Sequence, residues 1–260
     1  MQFTVVTLFP NLIEGFLAEG LVALARDRGL VHVTTVNPRA FTSDAHHTVD
    51  DKAFGGGDGM VMKFEPLAAA IESARTPESR VSVLTPQGRR WDQKLAREWS
   101  DAGVPRILVC GRYAGIDQRL IERVADDEIS LGDFVLNGGE IAALAIIESV
   151  ARLRPGALGN AVSGARDSFS DGRLECPQFT RPREVGGLPV PAPLLSGHHR
   201  KIREFEDAVS LVRTPILRPD LDVAGDIRNA LGQLAELSEL ELEALGIERG
   251  DLSRLQAGLK

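Results

Sequence analysis

The chain up to Leu153 alternates five times between short apolar strand patterns and helical patterns, and this alternation constrains the fold more than any other feature. The strand patterns are Phe3–Phe9, Val31–Val36, Val81–Leu84, Ile107–Cys110 and Glu128–Leu131. The helical patterns are Pro10–Arg28, Pro66–Ala74, Gln93–Ala102, Gln118–Val124 and Glu140–Leu153. Strands that alternate with helices form a mainly parallel sheet covered on both faces. The sequence therefore predicts an α/β fold.

Two of these strands end in glycine-rich loops, Gly111-Arg-Tyr-Ala-Gly-Ile-Asp117 and Gly132-Asp-Phe-Val-Leu-Asn-Gly-Gly-Glu140. The edge where parallel strands end is the usual ligand site of an open α/β sheet. Glycine leaves the main chain accessible there. We therefore expect a pocket lined mainly by backbone.

The glycines do not match the common nucleotide motifs. Neither loop has the Gly-x-Gly-x-x-Gly spacing, and no phosphate loop ending in Gly-Lys-Ser or Gly-Lys-Thr is present. The run Gly55-Gly-Gly-Asp-Gly59 lies in a long polar loop, Asn37–Lys63, and not between a strand and a helix. A mobile lid is the interpretation that this position favours.

Histidines and cysteines give weak metal patterns. His46-His47 stands near Asp44, Asp50 and Asp51, but adjacent side chains point in different directions. Cys176 and His198-His199 lack zinc-site spacing, and Cys110 ends a strand and is expected in the core. Two cysteines are too few for a disulfide framework, which indicates a reducing cytosol.

No segment of the sequence is long and apolar enough to suggest a membrane protein. The longest apolar run, around Ile141–Ile147, is far too short to cross a bilayer. The first residues, Met1–Val6, lack the features of a signal peptide. A cytoplasmic location is expected.

Charge is distributed unevenly. The net charge of −7 argues against nonspecific coating of nucleic acid. Between Arg152 and Arg213, however, ten basic residues stand against seven acidic ones. This excess is compatible with a local basic face and equally with an ordinary solvated surface.

The composition of the sequence changes after Pro155. Residues Gly156–Gly172 are predicted to be a linker, and residues 177–197 are proline-rich. Two amphipathic helices are predicted after them, Arg200–Val212 and Asp226–Leu245, the second with Gly246 as its C-cap. We predict a domain at residues 1–160, a flexible linker at 161–175 and a small mainly helical domain at 176–260.

Three features around this boundary have open interpretations. The helix Glu140–Leu153 is apolar nearly all round, which fits either burial within one subunit or a subunit interface. Arg152 and Arg154 at its end fit simple compensation of the helix dipole. Asp167 lies in a flexible stretch, and its spacing alone favours a capping role.

Several blocks of the sequence resemble, in order, the bacterial tRNA (guanine-N1)-methyltransferases of the SPOUT trefoil-knot superfamily. The match runs from Phe3 to about Asp220, and its blocks are Val49-Asp-Asp51, Gly55-Gly-Gly57, Gly59-Met60, Leu84-Thr-Pro-Gln-Gly88, Cys110-Gly-Arg-Tyr113, Gly115-Ile-Asp117, Ile129–Glu140, Asp167-Ser-Phe169, Phe179-Thr-Arg-Pro182 and Leu195-Ser-Gly-His-His199.

The resemblance implies a parallel sheet with a deep trefoil knot and a small helical C-terminal domain. It implies a homodimer whose active site is shared between subunits. The implied reaction is S-adenosylmethionine-dependent methylation of N1 of guanosine 37 in tRNA, next to the anticodon, which maintains the reading frame. The implied partner is the tRNA anticodon arm.

The resemblance also assigns roles to individual residues. Asp167 aligns with the general base that removes the guanine N1 proton, and Arg152 with the arginine that stabilises charge on O6. The implied donor-binding residues are Leu84, Thr85, Pro86, Gly111, Tyr113, Ser130, Leu131, Gly132, Asp133, Phe134, Val135, Leu136, Gly138 and Gly139.

Two positions depart from the family pattern. Relatives usually have glutamate where this chain has Ala114, and magnesium dependence in the family has been tied to that acid. Magnesium is therefore a doubtful cofactor for this chain. Phe134 replaces a tyrosine of many relatives and loses only the hydroxyl.

Two alternative functions stay open. A knotted methyltransferase acting on a ribose 2′-hydroxyl or on ribosomal RNA does not need a base for guanine N1. A donor-binding RNA-recognition protein without turnover is made plausible by Ala114 alone.

Overall fold

The computed structural model describes residues 1–56, 59–158 and 166–258. The chain divides into two units, Met1–Gly164 and Ala165–Lys260. Part of the proposed linker, residues 161–165, lies outside the described residues. The finer boundaries at 160, 161–175 and 176 stay a prediction.

A five-stranded parallel sheet forms the centre of the first unit. The first unit has these strands, five of which form the sheet: β1 (Gln2–Val6), β2 (His32–Val36), β3 (Asp50–Lys52), β4 (Met60–Met62), β5 (Arg80–Arg90), β6 (Arg106–Cys110) and β7 (Asp127–Ser130). The sheet has the order β2-β1-β6-β5-β7, with parallel pairing throughout, while β3 and β4 form a separate antiparallel hairpin. The prediction of an α/β fold with a mainly parallel sheet is confirmed.

Helices connect these strands. They are α1 (Pro10–Leu17), α2 (Gly20–Asp27), α3 (Phe64–Ala74), α4 (Gln93–Ala102), α5 (Gln118–Val124) and α6 (Glu140–Ala151), with a 3-10 turn at Pro38–Phe41. The predicted ends of α4 are confirmed: the Asp92 carboxylate accepts a hydrogen bond from Leu95 N at 2.8 Å, and Gly103 ends the helix with a φ of 63°.

Apolar side chains fill both faces of the sheet. Along β6, Leu108 and Cys110 belong to one buried cluster, while Ile107 and Val109 belong to another on the opposite face. This follows from the two-residue period of a strand. The buried side of α6 packs into the first cluster, and Ile141 is its most exposed apolar residue, at 57 %. Most of the apolar surface of α6 is therefore covered within one chain.

Three predictions about elements of this unit are wrong. The single helix Pro10–Arg28 is two helices, because the chain breaks before Gly20, whose φ is 69°. The loop Asn37–Lys63 contains the β3–β4 hairpin. Strand β5 does not stop at Leu84 but continues to Arg90, through an irregularity in its register with β7.

The second unit is mainly helical. Its elements are β8 (Glu184–Val185), β9 (Leu188–Pro189), a 3-10 turn at Ala192–Leu195, α7 (His199–Leu217), α8 (Ile227–Ala235), α9 (Glu239–Ala244) and α10 (Arg249–Gly258). The predicted helix Asp226–Leu245 is two helices, and α10 was not predicted. Gly246 follows α9 with a φ of 67°. Across the described ranges, every helix is too short or too polar to serve as a membrane span.

Candidate functional site

A pocket lies at the edge of the sheet where β6 and β7 end, beside the irregular part of β5 that follows Leu84. Its cavity measures about 220 Å³. All the predicted donor-binding residues line it except Asp133, which is exposed on the loop after β7. The structure therefore brings together the strand β5 around Leu84 and the two glycine loops. The assignment of these residues to a methyl donor stays a prediction.

Further residues line the pocket that were not among the predicted donor-binding residues. They are Val83, Arg112, Ala114, Gly115, Ile116, Ile121, Ile129, Asn137 and Ala142. Five of them stand inside the two glycine loops, so taking each loop as continuous would have found them: Arg112, Ala114, Gly115, Ile116 and Asn137. The other four carry no such signal, because their strand and helix patterns are those of ordinary core positions.

The first glycine loop is held in place by the β3–β4 hairpin. Ala114 N donates to Met60 O at 2.8 Å, and Met62 N donates to Gly115 O at 2.9 Å. Within the loop, Tyr113 has a φ of 59°. Positive φ is uncommon for a residue with a bulky side chain and often marks a functional site. The hairpin thus fixes one wall of the pocket.

The end of the first loop also begins a helix. The Asp117 carboxylate accepts a hydrogen bond from Arg119 N at 3.0 Å and caps α5. The side-chain hydrogen bond from Arg119 lowers the pKa of Asp117 below its ordinary value. Asp117 is therefore a capping residue.

The second glycine loop packs closely against the first. Gly139 N donates to Gly111 O at 3.0 Å. A Cβ atom at Gly139 would lie 2.8 Å from the Cα of Cys110, and one at Gly138 would lie 2.3 Å from Nε of Arg112. Since real Cβ atoms do not approach so closely and the Cα of Cys110 belongs to the backbone, position 139 requires glycine, whereas a Cβ at position 138 would displace the side chain of Arg112. The close contact between the two loops therefore depends on the absence of a side chain at position 139.

The outer part of the second loop is apolar and exposed. The exposed fractions are 54 % for Phe134, 88 % for Val135 and 39 % for Leu136. Three consecutive apolar side chains in solvent are unfavourable unless a ligand or a partner covers them. This loop borders the pocket, so its surface is part of the candidate site.

Position 114 offers no metal ligand. The methyl group of Ala114 has no donor atom, and it faces Gly59, where an added Cβ would lie 3.3 Å away. Within residues 1–56, 59–158 and 166–258, no group of three or more histidine, cysteine, aspartate or glutamate side chains could hold a metal ion. Two members of the glycine run, Gly57 and Asp58, lie outside the described residues.

The histidine pair forms local contacts in its own loop. His47 Nδ1 lies 3.0 Å from Thr42 Oγ1 and 3.2 Å from the carbonyl oxygen of Arg39. Asp44 accepts a hydrogen bond from Thr48 Oγ1 at 2.7 Å, which is the largest cause of its lowered pKa. These polar groups therefore stabilise the turn that they share.

The two predicted catalytic residues lie outside this pocket's lining. Arg152 is the C-cap of α6, with its N–H on Glu148 O at 3.1 Å. Asp167 belongs to the second unit and is half-buried. Its carbonyl oxygen accepts from Ser170 N at 3.0 Å, which closes a tight turn that also holds Phe169 at a φ of 70°. Their catalytic roles stay predictions.

Comparison with known proteins gives consistent matches. The family model described as tRNA (Guanine-1)-methyltransferase TrmD matches residues 1–224. A tRNA (guanine-N(1)-)-methyltransferase of Geobacter sulfurreducens is 47 % identical over 246 residues, covering 92 % of this chain and 100 % of that protein. Proteins with the same name from Hahella chejuensis and Carboxydothermus hydrogenoformans are 51 % and 48 % identical; they cover 84 % and 85 % of this chain, and the matches span 86 % and 87 % of those proteins.

Proposed function

The chain belongs to the tRNA (guanine-N1)-methyltransferase family, within the SPOUT superfamily, and from this premise we propose that it methylates N1 of guanosine 37 in tRNA with S-adenosylmethionine as donor. The observation that supports the proposal most is the pocket where β6 and β7 end beside the irregular part of β5, whose lining contains nearly the whole set of donor-binding residues that the resemblance implies. Methylation next to the anticodon maintains the reading frame.

The pocket fits the donor chemically. Much of the lining is main chain, because Gly111, Gly132, Gly138 and Gly139 line the pocket and have no side chains. Backbone N–H and C=O groups can read the edges of an adenine ring, and Thr85 and Ser130 add hydroxyl groups. When bound, the donor supplies a methyl group on a positively charged sulfur.

The reaction needs a base because guanine N1 carries a proton at neutral pH. Asp167 accepts this proton, which gives N1 the lone pair that it uses to bond the methyl carbon, while the bond between that carbon and the sulfur breaks and leaves its electron pair on the sulfur. Arg152 stabilises the negative charge that develops on O6. A general base of this kind contributes roughly 10²–10⁴ in rate.

Position 114 gives no support for a magnesium site in this chain. Ala114 has no oxygen to offer. The proton transfer described above uses only Asp167, so we assign no step to a metal.

We assign tRNA binding chiefly to the second unit. Arg181, Arg183, Lys201 and Arg203 are exposed there. Guanidinium and ammonium groups bind the phosphates of the anticodon arm, and each phosphate contact makes binding more sensitive to salt. The domain boundaries that we propose are those predicted from the sequence: residues 1–160, 161–175 and 176–260. The location that we propose is the cytoplasm, where tRNA is modified in bacteria.

We propose a homodimer with a shared site. Helix α1 and its N-cap residue expose three apolar side chains: Phe9, the N-cap, at 46 %, Leu12 at 51 % and Phe16 at 38 %. Spacings of three and four residues place them side by side. A second copy of the chain would cover this face, and Asp167 of one subunit would then serve a donor held by the other.

We also propose the trefoil knot of the superfamily. Its support is membership of the family.

Methyl transfer to defined transcripts tests the proposal. With labelled donor, a transcript carrying G at position 37 should be methylated at N1, and one carrying A should not. Asp167→Asn should lose roughly 10²-fold or more of kcat while donor affinity is kept.

The other outcomes are informative. Label on a ribose, with Asp167→Asn fully active, would favour 2′-hydroxyl methylation. Binding of tRNA without any label, with or without magnesium, would favour a recognition protein. Equal loss of donor affinity and turnover in Asp167→Asn would contradict its role as base.

A further inference from the structure

A buried polar network lies directly behind the two glycine loops. Glu140, the first residue of α6, is 1 % exposed, and its Oε2 lies 2.9 Å from a terminal nitrogen of Arg112. Its Oε1 accepts a hydrogen bond from Thr7 Oγ1 at 2.7 Å. Thr7 is fully buried at the end of β1, and its hydroxyl also accepts from Phe9 N at 2.9 Å. One carboxylate therefore joins three separate parts of the chain.

The arginine of this network reaches the pocket. Arg112 lines the cavity, and its Nη1 donates to Asn137 O at 3.4 Å. Its side chain lies against Gly138, and its guanidinium stacks 4.3 Å from the ring centre of Phe9. Arg112 thus belongs to the first glycine loop, and its side chain contacts residues 137–138 of the second glycine loop.

The physical consequence is a fixed arrangement of both loops. An arginine side chain is long and has many rotamers, so it holds a loop in place only when its charged end is anchored. Glu140 supplies the charge, and Thr7 fixes the orientation of the carboxylate. Both partners are largely removed from water, so solvent cannot replace either of them.

We propose that Glu140 and Thr7 are positioning residues of the donor pocket, which act through Arg112 to hold the two glycine loops in the arrangement that binds S-adenosylmethionine. The inference rests on the proposed function, since it concerns that same pocket. Neither residue lines the cavity, so their effect on the donor is indirect.

The test compares two substitutions at one position. Thr7→Val keeps the shape of the side chain and removes the hydroxyl, whereas Thr7→Ser keeps the hydroxyl. Calorimetric titration with S-adenosylmethionine should show binding on the order of tenfold weaker for Thr7→Val, and near-normal binding for Thr7→Ser. In kinetics, the change should appear in KM for the donor more than in kcat. Glu140→Gln should weaken binding as well.

A matched control separates positioning from general stability. Arg106 and Asp127 form another ion pair, at 2.5 Å, in which the arginine side chain is 9 % and the aspartate side chain 34 % exposed. They are the first residues of β6 and β7, at the ends of these strands that lie away from the pocket. Asp127→Asn should lower the melting temperature and leave donor affinity unchanged.

The outcomes separate the two proposals. If the unaltered protein does not bind S-adenosylmethionine, the proposed function fails. If it binds and Thr7→Val binds equally well, or if Asp127→Asn weakens binding as much as Thr7→Val does, the positioning role is wrong.

Discussion

Single glycine residues of this chain fall into two physical classes. At Gly88, a Cβ would lie 2.4 Å from both Glu128 C and Ile129 N, which are backbone atoms that cannot rotate away. At Gly232, within α8, nothing lies within 4 Å of an added Cβ. The same substitution should therefore have opposite effects at these two positions.

Gly88→Ala should destabilise the first unit by about 1–3 kcal/mol or more, because β5 and β7 must move apart. Gly232→Ala should stabilise the second unit by about 0.5–1 kcal/mol, because alanine favours a helix over glycine. Thermal unfolding measures both changes. A Gly88→Ala protein that unfolds at the unaltered temperature would show that β5 and β7 do not approach so closely.

The two cysteines are buried thiols, and their chemistry follows from burial. Cys110 is fully buried and Cys176 is 5 % exposed. Burial raises the pKa of the Cys176 thiol from 9.0 to about 12, and it raises the pKa of Cys110 as well. Because only a thiolate reacts readily, both residues should be inert in the folded protein.

We expect no reaction of the native protein with a disulfide reagent at about pH 8, and reaction of both thiols after denaturation. The folded state favours the neutral thiol of Cys176. The stabilisation of the folded state by this neutral thiol is therefore complete below pH 9.0, and it declines as the pH rises toward about 12. Cys176→Ser should remove part of this alkaline loss. Rapid labelling of the native protein would contradict the burial of both thiols.

Helix α4 is well defined by local interactions at both ends. The Asp92 carboxylate satisfies Leu95 N at its beginning, and Gly103 adopts the left-handed conformation at its end. One face of the helix buries Leu95, Ala96, Trp99 and Ser100. The capping residues and the buried face thus define the same helix. We therefore expect a mutation at either end of α4 to change stability only through the contacts of that end.

Asp92→Ala should cost about 1 kcal/mol, because Leu95 N loses its partner. The melting temperature should fall by about 2–4 °C. Asp101→Ala is the control: this exposed acid lies in the last turn, where a negative charge is unfavourable, so its removal should not destabilise. An equal decrease for both variants would contradict the capping role of Asp92.

The sequence predicted elements best where their signals are local. The ends of α4, the parallel strands and the pocket loops all depend on residues within a few positions of each other. The sequence analysis did not predict the end of α1 before Gly20 or the continuation of β5 through Pro86 and Gly88. A segment that contains glycine or proline can adopt several local conformations, and tertiary packing selects one of them. The hydrogen bond between Thr7 and Glu140 spans 133 residues, and no periodicity encodes such a contact.

At the scale of the whole molecule, the main question is what covers the exposed apolar surface of the first unit. Leu12 and Phe16 of α1 and its N-cap residue Phe9 are exposed, and Val135 is 88 % exposed on the loop beside the pocket. Neighbouring exposed apolar side chains are a common feature of protein–protein interfaces. We infer that a second copy of the chain covers the face of α1.

Leu12→Arg should therefore convert the proposed dimer into a monomer, because a guanidinium in an apolar interface loses its water without gaining a partner. Leu240→Arg is a closely matched control: Leu240 is 50 % exposed on α9, against 51 % for Leu12, and lies in the other unit. Light scattering should show half the mass for Leu12→Arg only. Since the proposed site needs Asp167 of the partner subunit, methyl transfer should be lost together with the dimer, while Leu240→Arg keeps both. A Leu12→Arg protein that stays dimeric would place the interface elsewhere, and a monomer with full activity would show that one subunit completes the site.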